Sequence, residues 1–282
     1  MANLKTFIRW PGNKSKHFGK IEEYFPDYDE YDRYVEPFLG SGAVFLKIKP
    51  EKWIINDLNK DNINCWKTVR DEPEYLVREI TKFGKSFKPM TKKNKEKKCK
   101  KIISQIPNEK YNKHRAKNYM LMKDCSFNGL IFKNNEWVFP CLCASITSKN
   151  KYFFMSKTKL NNINNVSEFL CENVKKNKIY NRDYKWILNK TKDGDFVFLD
   201  PPYIEDHDYT FNYNKDEDLD NEFLEELLEQ VCKLDKKGVL WLMTQADTPE
   251  VREIFEDYEI NEFPVYRVSI HDYVNELVIT NY

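Results

Sequence analysis

Phe196 to Leu199 is an unbroken apolar run that stops at Asp200-Pro201-Pro202-Tyr203. The run reads as a strand buried in a core. Proline lacks the N–H that a sheet ladder needs and fixes its own φ, so two in succession end the strand. The chain therefore sets an acid and a flat aromatic ring at the tip of a core strand, on a mount stiffened by two pyrrolidine rings. An open α/β sheet makes use of such a tip, because its ligands sit beyond the carboxyl ends of the strands.

Other segments follow the same grammar. "RYVEPFLGSGAVFLKI" (33–48) reads as a short apolar strand, a Gly/Ser loop and an apolar helix. "WIINDLN" (53–59) reads as a second strand ending in Asn56 and Asp57, with a helix after it. "TFIRW" (6–10) reads as a further strand, followed by a turn and a helix over 16–24. This β-loop-α order is the pattern of a parallel, doubly wound sheet. Beyond residue 152, "KIYNRDY" and "GVLWLMTQ" add strands. An amphipathic helix over 220–234 aligns Phe223, Leu224, Leu227, Leu228 and Val231 on one stripe. A helix over 249–258 follows, and "PVYRVSI" and "NELVITNY" close the chain as an antiparallel pair. From 65 to 151 the alternation lapses. That stretch is helical and basic, and Asn134-Asn135 can close a hairpin within it. The expected organisation is one α/β domain, 1–64 with 152–282, interrupted by an insert at 65–151.

A net charge of +1 is no signature of a polyanion partner, but its distribution is uneven. From Lys82 to Lys117 the chain is rich in lysine and has only Glu96 and Glu109 as acids, while acid gathers from Glu205 to Glu229. Such polarity gives one face suited to a polyanion. Taken alone, the lysine run also reads as a solvated loop. No apolar run reaches the roughly 18–20 residues that span a bilayer, and "MANLKTFIRWPGNK" lacks a signal-peptide core. An intracellular protein with no membrane partner is expected. Seven irregularly spaced cysteines read as reduced thiols. Cys125, Cys141 and Cys143 lack the spacing of a zinc site, so no metal is expected.

Four strand tips carry polar or flexible groups: Glu36 with the glycine loop, Asp57, Asp183 with Tyr184, and Asp200 with its prolines. Gly40 and Gly42 allow backbone to approach a ligand, or else serve a tight strand–helix turn. Their loop is neither G-x-G-x-x-G nor G-x-x-x-x-G-K, which disfavours a pyrophosphate or a nucleoside triphosphate. Asp57 suits a ribose diol or a helix N-cap. Set beside the glycines, it points to an adenosine-type ligand without phosphates. For a planar base bearing an amine, Asp200 accepts one N–H and a proline-peptide carbonyl the other, while Tyr203 offers a stacking face.

"RWPGNK" (9–14), "EPFLGSG" (36–42), "INDLN" (55–59) and "DPPY" (200–203) together resemble the Dam-type S-adenosylmethionine-dependent DNA adenine-N6 methyltransferases, in the motif order of their permuted class. "VNELVITNY" (274–282) resembles the family's last strand. The resemblance implies a mostly parallel methyltransferase-type sheet with an antiparallel C-terminal pair, and a mainly helical target-recognition insert with a β-hairpin. It implies S-adenosyl-L-methionine as cofactor, contacted by Trp10 and Lys14. Glu36, Phe38, Gly40 and Gly42 would line its methionine side, Asp57 its ribose, and Asp183 with Tyr184 its adenine. Asp200 would touch both cofactor and target amine, with Pro201, Pro202 and Tyr203 completing the catalytic set. "FNGLIFKNNEWVFP" (127–140) would be the DNA-reading hairpin, through Asn128, Lys133, Asn134, Asn135 and Pro140.

The implied reaction is methyl transfer to N6 of an adenine flipped out of double-stranded DNA. GATC is the default target, a cognate restriction endonuclease a candidate partner, and a monomer or weak dimer the expected state. Three departures fall where bases would be read. Phe132 replaces the family's usual arginine, "CLCASI" follows Pro140 where the family tends to Gly-Arg, and the loop at His271-Asp272-Tyr273 is short. Cytosine-N4 methylation and a DNA-binding module without turnover are the competing readings. Cytosine-C5 chemistry would need a nucleophile such as Cys141 after Pro140, which lies in the insert and away from the strand tips.

Overall fold

The computed structural model describes residues 4–133, 136–147, 156–172, 174–203, 221–267 and 271–282. Its strands are β1 (Arg33–Glu36), β2 (Trp53–Asn56), β3 (Phe132–Lys133), β4 (Glu136–Trp137), β5 (Lys178–Tyr180), β6 (Asp195–Leu199), β7 (Leu240–Ala246), β8 (Glu259–Arg267) and β9 (Asp272–Thr280). Its α-helices are α1 (Phe18–Ile21), α2 (Ala43–Ile48), α3 (Lys60–Asp71), α4 (Pro73–Phe87), α5 (Lys92–Gln105), α6 (Lys113–Cys125), α7 (Ala144–Thr147), α8 (Lys157–Cys171), α9 (Tyr184–Leu188), α10 (Asn221–Asp235) and α11 (Pro249–Ile254). Seven strands form one sheet in the order β5-β2-β1-β6-β7-β9-β8. β5, β2, β1, β6 and β7 pair in parallel, and β9 runs antiparallel to both β7 and β8. The order reverses between β1 and β6, which is the switch point where an open α/β sheet leaves a crevice.

β6 shows why this sheet is a two-faced core. All five of its residues are buried. Phe196 and Phe198 join the cluster that contains Tyr34, Trp53 and Phe45, while Val197 and Leu199 join the cluster with Trp241, Met243 and Leu227. Alternate side chains leave a strand on opposite faces, so a run of apolar residues requires helices on both sides. Burying each of these large side chains contributes roughly 1.5–3 kcal/mol. At the start of β6, buried Asp195 takes a fork from Arg33 (2.9 and 2.6 Å), which anchors β6 to β1 at the edge opposite the tips.

Three elements differ from the sequence expectation. Thr6–Trp10 is irregular, not a strand. The segment joins neither sheet; Phe7 and Ile8 are buried, and Phe7 packs edge-on to Trp66 at 4.7 Å. The helix expected over 16–24 is broken into 3-10 turns at Lys14–Lys16 and Glu22–Tyr24 around the short α1, which contains Gly19, a poor helix former. The helix expected to reach Tyr258 ends at Ile254; Tyr258 instead donates to Asp235 (2.6 Å) and packs edge-on to Trp241.

The lysine-rich segment is helical, which corrects its reading as a solvated loop. In α4, Leu76, Ile80, Phe83 and Phe87 recur at helical spacing and are buried. α3 runs through residues 64 and 65, so the boundary expected between the α/β domain and the insert falls within a helix. Arg115 on α6 forks onto Asp61 of α3 (2.6 and 2.9 Å) and spends further N–H groups on the carbonyls of Ile106 and Glu109. A guanidinium satisfied this fully ties α6 to α3. β3 and β4 pair antiparallel, as the hairpin expectation requires, though its turn residues Asn134 and Asn135 lie outside the described residues.

Candidate active site

Residues from four elements meet at the carboxyl edge of the sheet. Asp200 follows β6 directly. Lys14 arrives on a 3-10 turn whose entry is fixed by Asn13, which accepts from Ser15 N (2.8 Å). Lys14 Nζ lies 2.9 Å from Asp200 Oδ1, and Thr244 of β7 donates to the same oxygen at 2.9 Å. Among the described residues, Asp200 Oδ2 takes no hydrogen bond. The Tyr203 hydroxyl donates to Glu276 Oε2 at 3.0 Å, Lys14 Nζ is 3.6 Å from that oxygen, and the ammonium stands 4.4 Å from the Tyr203 ring centre. Pro201 is buried and Pro202 exposed.

Burial alone disfavours a charged Lys14, but Asp200, Tyr203 and Glu276 more than offset it, so its pKa is raised. Burial likewise raises the Asp200 carboxyl, against the pull of Lys14 and the Thr244 bond. Glu36, at the tip of β1, is buried and held by the Tyr34 hydroxyl at 2.7 Å. Burial pushes its carboxyl well up, the Tyr34 bond opposes that, and the charge of Asp200 adds to it.

The glycine loop is a second, adjoining unit. Gly40 and Gly42 have φ of +49° and +64°. A Cβ on Gly42 would fall 2.3 Å from the Trp66 ring, and one on Gly40 would fall 3.0 Å from Trp10. Only glycine meets both demands. Asp57 accepts from Gly40 N (2.8 Å), Asn59 N (2.7 Å) and Asn62 Nδ2 (2.8 Å), and Asn62 also donates to Gly40 O (2.7 Å). The cap of α3 is Asn59, whose side chain accepts from Asn62 N. Asp57 thus clamps the loop, with three of about four lone-pair sites used. Burial raises its carboxyl, against these three bonds.

Asn56 staples the third unit: its side chain bonds Pro37 O and both N and O of Arg182, each at 2.9 Å. That holds the loop after β5 beside the glycine loop. Tyr184 packs against Phe38 with ring centres 5.0 Å apart and donates to Glu226. Asp183 is exposed and caps α9 through Lys185 N (2.8 Å).

Trp10, Lys14, Glu36, Phe38, Gly40, Gly42, Asp57, Tyr184, Asp200 and Tyr203 therefore gather around one edge. The expected base-reading residues stand apart, on the insert. Asn128 is exposed with φ +51° on a turn after α6, Lys133 lies on β3, and Pro140 is exposed after β4. Reading of the strand tips passes over Glu276, Thr244, Asn62 and Lys123, and takes Asn56 only as the end of a strand. Glu276 had a signal. It is an acid heading the apolar run of an antiparallel strand, whose beginning must lie where parallel strands end. Lys123 is a lysine within the apolar stretch of α6; its Nζ lies 4.4 Å from the Trp10 ring centre.

No helix among the described residues is long and apolar enough to cross a membrane. Comparison with known proteins agrees with the geometry. A type II methyltransferase of Lactococcus lactis subsp. cremoris, M1.LlaDCHI, is 28% identical over 291 residues, covering 99% of this chain and 96% of that protein. A type II methyltransferase of Methanocaldococcus jannaschii, M.MjaIII, is 26% identical over 303 residues, covering 99% of each. A DNA adenine methylase of Vibrio cholerae is 24% identical over 265 residues, covering 93% of this chain and 88% of that protein. The model of one protein family matches residues 10–268, and on that match the chain belongs to the D12 class N6 adenine-specific DNA methyltransferases.

Proposed function

We propose that the methyl group is transferred at Asp200, Pro201, Pro202 and Tyr203, onto N6 of an adenine flipped out of double-stranded DNA. The observation that carries this is the division of labour within one carboxylate. Lys14 and Thr244 anchor Asp200 Oδ1, and Oδ2 is left for a donor. An N6 hydrogen bonded to Oδ2, with the second on a carbonyl of the proline pair, aims the nitrogen lone pair. Tyr203 supplies the stacking face. Asp200 need not be a strong base, because the amine sheds its proton as the new bond forms.

The residues present fit S-adenosylmethionine, which supplies the methyl group from its sulfonium centre. Gly40 and Gly42 bring bare backbone to the edge, and among the described residues Asn62 Oδ1 is buried beside them without a partner. Trp10, Lys14, Glu36, Phe38, Gly40, Gly42, Asp57, Asp183, Tyr184 and Asp200 are the proposed holding set. Asp57 contributes chiefly by fixing Gly40, and Asp183 by capping α9. Residues 65–151 serve as the target-recognition domain between catalytic parts 1–64 and 152–282. Within it, Asn128, Lys133, Asn134, Asn135 and Pro140 are the proposed DNA-binding residues, and the lysines of α5 are proposed to meet phosphate. A GATC-like target, a cognate restriction endonuclease as partner and a monomeric or weakly dimeric state complete the proposal. The type II names of two relatives are in keeping with such a partner.

The test is incubation with isotopically labelled cofactor and mixed-sequence DNA, digestion, and identification of the labelled base with its flanks. N6-methyladenine within GATC-like flanks is expected. N6-methyladenine in other flanks overturns the default target alone, and label on cytosine overturns the placement of the chemistry.

A further inference from the structure

We infer that Glu276 is a positioning residue of methyl transfer, holding the Tyr203 ring and sharing the Lys14 ammonium with Asp200. This rests on methyl transfer occurring at Asp200–Tyr203. Glu276 reaches the site because β9 is antiparallel: from the middle of β9 it pairs opposite Ala246, the last residue of β7. It is 7% exposed, and one oxygen, Oε2, serves both the Tyr203 hydroxyl (3.0 Å) and Lys14 Nζ (3.6 Å).

Each interaction has a consequence. The phenol bond restrains the ring that stacks the base. The Lys14 pairing decides how basic Asp200 is. An ammonium paired to one carboxylate alone draws its charge toward itself and weakens it as an acceptor. Divided between two carboxylates, Lys14 anchors Asp200 Oδ1 and leaves Oδ2 more electron-rich. The negative charge of Glu276 also raises the Asp200 pKa.

Glu276→Gln retains an acceptor for the phenol and removes the charge; Glu276→Ala removes both. Removing the charge lowers kcat by about tenfold in Glu276→Gln, and removing charge and acceptor together lowers it by about a hundredfold in Glu276→Ala. Cofactor affinity by titration calorimetry and KM for DNA stay within about threefold, since Glu276 touches neither ligand. The acidic limb of the kcat–pH profile, where Asp200 protonates, moves to lower pH in Glu276→Gln. Unchanged kcat in Glu276→Gln, an unmoved acidic limb, or an equal fall in kcat and in both affinities overturns the inference. Glu276→Gln is near-isosteric and decides the matter if Glu276→Ala does not fold. Asp200→Ala is run in parallel. If it transfers methyl groups near the wild-type rate, the catalytic placement has failed; if it is about 10³-fold slower or worse while both Glu276 variants behave as wild type, only the inference has failed.

Discussion

The carboxyl edge of the sheet and the outer face of α5 are both charged, and they handle charge in opposite ways. At the edge, Lys14, Asp200, Tyr203 and Glu276 are bonded to one another, with Lys14 and Glu276 buried and Asp200 and Tyr203 half-buried. On α5, Lys92, Lys93, Lys97, Lys100 and Lys101 are exposed, while Lys95 and Lys98 lie over Phe87 and Phe83. Aiming an amine lone pair needs acceptors held to a fraction of an ångström, so each polar atom must be tied. Neutralising phosphate needs only charge at the right surface, and on the proposed reading exposed lysines serve. The first task restricts residue type position by position; the second restricts composition over a segment.

The contrast can be broken at four places. Asp200→Ala is expected to lower single-turnover methyl transfer by about 10³-fold or more, with a smaller fall in cofactor affinity. Gly42→Ala places a methyl group 2.3 Å from Trp66 at a left-handed φ. It is expected to cost about 1–3 kcal/mol in urea unfolding, with weakened cofactor binding. Lys123 tests a charge buried between the two regions. Desolvation pushes its pKa down to about 7, against the charges of Cys65 and Asp57. Between about 7 and the unfolded value near 10.4, the unfolded chain binds the proton that the folded chain has released. The penalty is full below about 7 and is relieved as pH rises, by up to about 1.4 kcal/mol per unit. Lys123→Met should flatten that slope in denaturation measured from pH 7 to 10. The smallest effect is expected from the triple change of Lys97, Lys100 and Lys101 to Ala. The slope of log affinity for DNA against log salt should fall by about 0.9 for each phosphate that the variant no longer neutralises.

The same contrast explains what is legible in the amino-acid order. Apolar runs closed by Glu36, Asp57 and Asp200 mark three parallel strands and the side of the sheet to inspect, because a buried strand tolerates polar groups only at its tips. The irregular path of Thr6–Trp10 is hidden, since Phe7 and Ile8 are apolar enough for a strand and only tertiary packing against Trp66 decides otherwise. Asp57 reads as a ribose acceptor or a cap; its clamp on Gly40 depends on a loop conformation that spacing does not report. Glu276 and Thr244 come from β9 and β7, distant in sequence from Asp200, and only sheet order brings them beside it. The helices of the insert are visible in the periodicity of Leu76, Ile80, Phe83 and Phe87. Which insert residues read bases is not, because a few exposed polar side chains on turns carry no pattern of their own.

The most direct test of this division is the single-turnover rate at saturating DNA and cofactor, measured beside DNA affinity for Asp200→Ala and for the triple lysine variant. Asp200→Ala should bind DNA nearly as wild type does and transfer methyl groups to N6 of adenine about 10³-fold or more slowly. The lysine variant should bind more weakly and, once saturated, transfer at the wild-type rate. Transfer near the wild-type rate in Asp200→Ala, or a saturated rate that disappears together with the lysines, would contradict the account.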